Sequence, residues 1–61
     1  MNAGKIVAIA GPVVDVEFRD CALPKIREAL TVEVRGHTYV MEVAQQIGDD
    51  TVRCIVLAQS E

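Results

Sequence analysis

The sequence predicts an all-β domain, a small closed or nearly closed barrel of five to six short antiparallel strands with one short helical turn. Three observations support this prediction. Hydrophobic residues make up 51% of the chain and aromatic residues only 3%, so the apolar side chains are chiefly Val, Ile, Ala and Leu. Several runs alternate apolar and polar residues with the two-residue period of a strand. Turn-forming residues separate these runs at short intervals.

The first two strands lie within residues 4–18, which read GKIVAIAGPVVDVEF. They are predicted over Lys5–Ala10 and Val13–Phe18. Gly11-Pro12 separates them, because Pro has no backbone N–H to donate and Gly permits positive φ. Apolar and acidic residues alternate along the second strand. The apolar residues are Val14, Val16 and Phe18, and the acidic residues are Asp15 and Glu17.

The helical turn is predicted over Leu23–Leu30, where the two-residue period is lost. Pro24 suits the first position of a helix, and Ile26, Ala29 and Leu30 are spaced so that they share one helical face. We expect this short segment to pack over one end of the sheet.

The third and fourth strands follow this segment. The third is predicted over Thr31–Arg35, with Val32 and Val34 inward, and Gly36-His37 is predicted to form the next hairpin turn. The fourth strand covers Thr38–Gln46. Both of its faces are partly apolar, which is typical of a central strand rather than an edge strand.

The fifth strand is predicted over Thr51–Ala58, after a turn at Ile47–Asp50. Its two faces are nearly equally apolar, so the sequence leaves the inward face unassigned. The two sets are Val52, Cys54, Val56 and Arg53, Ile55, Leu57.

Length and charge restrict the functional classes. With 61 residues the chain is a single domain, residues 1–61, whose core supplies roughly 3–5 kcal/mol, so burial against a partner is expected. The net charge is −3, with one Phe, one Tyr and no Trp. Nucleic-acid binding is therefore disfavoured, because such modules present basic faces and stacking aromatics. No secretory or organellar leader is recognisable, and no run approaches the roughly 20 apolar residues that cross a bilayer.

No residue is predicted to be catalytic, cofactor-binding or metal-ligating. Asp15 and Glu17 are interpreted as a solvated strand face, because no pocket is evident beside them. Asp49-Asp50 and His37 are interpreted as turn residues. The sequence has no phosphate-binding loop of the form GxxxxGK[ST].

The two cysteines, Cys21 and Cys54, lie far apart in the sequence. The chain has one His and no CxxC motif, so it lacks the four closely spaced ligands of a structural zinc site. We expect both residues to be reduced thiols that pack as small hydrophobic side chains.

Three segments, GKIVAIAGPVVDVEF, ALPKIREALTVEV and VMEVAQQIGDDTVRCIVLAQS, closely resemble the N-terminal segment of F-type ATP synthase β subunits, in the same order. The likeness extends from about Ala3 to Ser60. Departures from the family pattern are Cys21, Cys54 and the short turn at Arg35–Thr38. The most specific pieces are Gly11–Val16, Pro24-Lys25-Ile26 with Ala29-Leu30, and Glu42-Val43 with Gln45–Gly48.

The resemblance implies a six-stranded barrel in the crown of a catalytic head, where three α and three β barrels alternate in a ring. It implies a parent protein that makes ATP from ADP and phosphate, driven by proton flow, and that uses ATP, ADP and Mg²⁺. That parent is expected at the cytoplasmic side of the bacterial inner membrane, rather than in the mitochondrial matrix or chloroplast stroma. The chain itself is expected to lack the last barrel strand and the nucleotide-binding domain, and not to be an enzyme.

Two functional hypotheses follow. The first is a structural domain that holds the ring together through contacts with α-subunit barrels, and the second is a free-standing small barrel that binds RNA or a protein. Val40, Ala44, Ile55 and Leu57 either fill the core or form an outer face against neighbouring barrels, and the residues alone leave both interpretations open. The resemblance favours the outer face. A free sheet edge is also expected to permit self-association.

Overall fold

The structure, a computed structural model, describes residues 3–19 and 21–59. It contains one antiparallel sheet of five strands in the order β1-β2-β5-β4-β3, curved into a half-barrel. The predicted all-β class is confirmed. The strands are β1 (Lys5–Ala10), β2 (Val13–Glu17), β3 (Ala29–Val34), β4 (His37–Gln46) and β5 (Thr51–Gln59).

The two edge strands, β1 and β3, leave a seam along one side of the half-barrel. No Cα atom of β1 lies within 8 Å of a Cα atom of β3. Every neighbouring pair in the sheet is antiparallel, so four reversals of direction separate β1 from β3 and the two strands run the same way. A strand that closed the seam with antiparallel pairing on both sides would have to run opposite to both.

The hydrophobic core lies on the concave face of the sheet and is formed by alternate residues of the three central strands. Phe18, just after β2, adds the one buried aromatic ring among the described residues. Val52 and Cys54 are fully buried, so the inward face of β5 is the one formed by Val52, Cys54 and Val56. The buried apolar residues are Val14, Val16, Phe18, Met41, Val43, Val52 and Cys54.

Gly4 is required where the chain enters β1. A Cβ atom placed on this residue would lie 2.5 Å from Cγ1 of Val16 and 2.7 Å from Cζ of Phe18, both inside the van der Waals contact distance. The absence of a side chain at Gly4 thus lets the N-terminal segment lie directly against the core.

The hairpin between β3 and β4 turns one residue earlier than predicted. Arg35 and Gly36 have φ values of 53° and 81°, and Val34 pairs with His37 directly across the turn. Positive φ at both central residues is the requirement of a tight type I′ hairpin, because its twist matches that of the strands. His37 is therefore the first residue of β4 and not a turn residue.

The predicted helical turn is wrong, since no helix occurs within residues 3–19 and 21–59. Arg27 has a φ of 79°, which a right-handed helix cannot contain. Its N–H donates to the Val43 carbonyl at 2.7 Å, which anchors the segment to β4. Ala29 and Leu30 already pair with β4, so β3 begins two residues earlier than the sequence predicted. The helical spacing of apolar residues here is coincidental.

Candidate functional site

A groove occupies the seam between β1 and β3. Its more apolar half has a volume of about 310 Å³ and is lined by residues that include Ile9, Val34, Tyr39 and Val56. Ile9 is 65% exposed, although it lies on the concave side of the sheet opposite Val14. Among the described residues that line this half, the Tyr39 hydroxyl is the only polar side-chain group, and it has no second polar side chain beside it, so the groove is a packing surface rather than a reaction site.

The residues that sequence reasoning tested for chemistry are scattered over the molecule. Asp50 follows β4 and accepts a hydrogen bond from the Thr51 hydroxyl at 3.1 Å, while His37 lies 2.8 Å from the Gln59 amide nitrogen through Nδ1. In residues 3–19 and 21–59, no group of three His, Cys, Asp or Glu side chains could hold a metal ion. The same described part contains no helix long and apolar enough to cross a membrane.

The two cysteines pack as the sequence predicted. Cys54 is fully buried in the core, and Cys21 is half-buried against it, both as free thiols. Burial raises the pKa of the Cys54 thiol, and the nearby Asp15 carboxylate adds to this effect. Cys54 is therefore a protonated core side chain rather than a reactive thiolate.

The convex face carries an apolar surface, called here the outer patch, made by β2, β4 and β5. Leu57 is 59% exposed, and Ile55 lies between Val13 of β2 and Glu42 of β4. None of its members belongs to the core cluster, so the structure decides between the two interpretations of the apolar surplus in favour of an outer face. The outer patch consists of Val13, Val40, Ala44, Ile55 and Leu57.

An ion pair borders the outer patch. Asp15 of β2 and Arg53 of β5 face each other across the strand pair, and the guanidinium donates two hydrogen bonds, Nε to Oδ1 at 2.9 Å and Nη2 to Oδ2 at 3.1 Å. Asp15 is only 9% exposed, so its interpretation as a solvated residue is wrong. These hydrogen bonds lower the pKa of the Asp15 carboxyl and raise that of Arg53. The pair links β2 to β5 beside the patch.

The Asp15–Arg53 pair makes stability depend on pH in a predictable direction. Because the pKa of Asp15 is lower in the folded chain than in the unfolded chain, the pair contributes fully above the unfolded pKa of about 3.9. The contribution is lost as the pH falls from there through the folded pKa. We expect Asp15→Asn to flatten this acid decline, as measured by urea unfolding from pH 7 downwards.

Asp49→Asn is the matched control, because it removes one Asp from an exposed position outside the strands. It should leave the acid decline of the wild type unchanged. If Asp15→Asn and Asp49→Asn gave the same pH profile, the pair would have no role in acid stability.

Comparison with known families gives the decisive observation. A family model described as the ATP synthase alpha/beta family, beta-barrel domain, matches residues 6–61. The chain belongs to this family. Membership implies a subunit of an ATP synthase or related ATPase that assembles in a ring. The ATP synthase alpha/beta barrel domain described here thus has a surface suited to assembly, because its outer patch is apolar and lies on the central strands.

Sequence reasoning named four of the five members of the outer patch, left their role open between core and outer face, and missed both Val13 and the ion pair beside the patch. Asp15 and Arg53 are 38 residues apart, and nothing local in either strand links them. Both residues point outward from neighbouring strands of the ATP synthase alpha/beta barrel. This position predicts an ion pair only when the register of β2 against β5 is known.

Proposed function

We propose that the chain is the crown barrel of the catalytic β subunit of a proton-translocating F-type ATP synthase. Its role is structural: it holds the ring of alternating α and β subunits together by lateral contacts between barrels. The observation that carries the proposal is the outer patch, an apolar surface on the central strands of a domain from a ring-forming family.

The small size of the domain supports this role. A core of this size supplies roughly 3–5 kcal/mol, and burial of a further apolar surface by a neighbour adds to it. The sheet leaves β1 and β3 as edges, which provide further backbone groups for association, including self-association of the isolated chain. The resemblance of the local segments to β subunits supports the assignment to that subunit.

In the proposed parent, nucleotide chemistry takes place outside residues 1–61. ATP, ADP and Mg²⁺ belong to a nucleotide-binding domain of the parent, which lies at the cytoplasmic side of a bacterial inner membrane. The absence of a phosphate-binding loop from the sequence supports this division of roles.

The outer patch can be tested with Leu57→Asp. This substitution places a charge within the proposed contact, where burial without a partner is unfavourable, so the complex with the N-terminal barrel of an α subunit should be lost. Light scattering of the mixture over a concentration series measures the complex. Circular dichroism of the variant alone should show the wild-type fold, because Leu57 lies outside the core.

Ile26→Asp provides the control. Ile26 is 53% exposed, close to the 59% of Leu57, but it lies in the loop before β3 and outside the outer patch. Its complex with the α barrel should match that of the wild type. Equal complex formation by Leu57→Asp and the wild type would refute the outer patch as the assembly surface.

A further inference from the structure

The outer patch surrounds one acid, Glu42 of β4. This residue lies between Ile55 of β5 and Ala29 of β3 in the paired register. Along its own strand the neighbouring outward residues are Val40 and Ala44. The side chains directly around Glu42 on the convex face are therefore all apolar, and none of them can donate a hydrogen bond to its carboxylate.

Glu42 takes part in no ion pair within residues 3–19 and 21–59. The ion pairs in this part of the chain are Arg19–Glu17 and Arg53–Asp15. Arg53 is the single base of β5, and it already gives two hydrogen bonds to Asp15. A rotation of Arg53 towards Glu42 would leave the Asp15 carboxylate, 9% exposed, without its partner. Arg27, whose backbone N–H binds the Val43 carbonyl next to Glu42, forms no ion pair with Glu42 either, so within the described residues this half-buried carboxylate relies on solvent.

Covering the outer patch removes that solvent. A carboxylate that is buried without a hydrogen-bonding cation is strongly unfavourable, whereas an apolar surround gains from the same burial. A partner surface that was apolar throughout would therefore be rejected at Glu42. This requirement gives the occupant a definite chemistry.

We propose that the partner barrel places a lysine or arginine against Glu42, at the centre of an otherwise apolar contact. The inference rests on the proposed function, and it adds that Glu42 is the residue that sets partner choice and register at the outer patch. A second copy of this chain is disfavoured as a two-fold occupant, because it would bring a second Glu42 carboxylate to the patch while Arg53, the base beside it, already pairs with Asp15.

The test compares Glu42→Gln with the wild type in titration calorimetry against the N-terminal barrel of an α subunit. Removal of one member of a buried, hydrogen-bonded charge pair should weaken binding by about 30-fold or more. The dependence of affinity on salt should also become shallower, since one ionic contact is lost. Glu33→Gln is the matched control, because it makes the same change on the exposed edge strand β3 and outside the patch.

A second measurement identifies the partner cation. Each Lys and Arg of the α barrel is replaced in turn by Met. The loss of binding affinity that each replacement causes is measured once with the wild-type chain and once with the Glu42→Gln variant. The cation that faces Glu42 should be the one whose replacement costs clearly less in the variant background.

Two failures can be told apart. Absence of any complex with wild-type chain would overturn the proposed function and this inference with it. A complex that Glu42→Gln and Glu33→Gln leave equally tight would overturn the inference about Glu42 alone and leave the assembly role standing.

Discussion

Replacement of Met41 by alanine is expected to leave the chain largely unfolded in water. Met41 is 2% exposed at the centre of the concave face, paired with Leu30 of β3 and Val56 of β5. Truncation of such a buried side chain costs about 2–5 kcal/mol, because a cavity adds to the lost burial. That range is as large as the roughly 3–5 kcal/mol that a core of this size supplies.

Urea unfolding followed by circular dichroism measures the effect, with stabilising salt added so that the variant retains a folded baseline. Leu57→Ala is the control, since it removes a comparable apolar side chain that is 59% exposed and lies outside the core. Its unfolding midpoint should stay close to that of the wild type. A Met41→Ala midpoint equal to that of Leu57→Ala would mean that the concave face is not the core.

The second large effect is expected from Gly4→Ala. The added methyl group would lie 2.5 Å from Cγ1 of Val16 and 2.7 Å from Cζ of Phe18, so the N-terminal segment must move away or the core must rearrange. Overpacking of this kind costs about 1–3 kcal/mol. Equilibrium unfolding in urea again gives the change in the free energy of unfolding.

Two comparisons make this prediction specific. Gly48→Ala places its methyl group 3.9 Å from the nearest atom, Cβ of Thr51, so its effect should stay within about 0.5 kcal/mol. Val16→Ala removes the Cγ1 atom that the Gly4 methyl group would meet. Val16→Ala should therefore lower the free energy of unfolding by less in the Gly4→Ala background than in the wild type. Additive costs would show that the close approach of Gly4 does not govern stability.

The parts of the fold that the sequence predicted well are those that local chemistry determines. β1 and β2 were predicted within one residue, because Gly11-Pro12 separates two alternating runs and both residues act on their own backbone. β4 was correctly identified as a central strand from apolar residues on both faces. In each case the signal lies within a few residues of the feature that it predicts.

The errors arose where distant contacts outweigh local preference. The segment before β3 has helical spacing, but Ile26 and Arg27 form a turn closed by the Glu28 N–H and the Lys25 carbonyl, and backbone bonds to Val43 hold this turn against β4. The inward face of β5 depends on its pairing with β2 and β4, and its own residues are apolar on both faces. The burial of Asp15 likewise depends on Arg53, which lies 38 residues later in the sequence.

The central position of β5 has a consequence for the order of events during synthesis. β1 with β2 and β3 with β4 are two separate hairpins, and β5 is the strand that pairs with both of them. Isolated two-stranded hairpins are marginal in water. We therefore expect the nascent chain to form no cooperative five-stranded sheet until β5, through residue 59, has left the ribosomal tunnel, because neither hairpin is stable by itself.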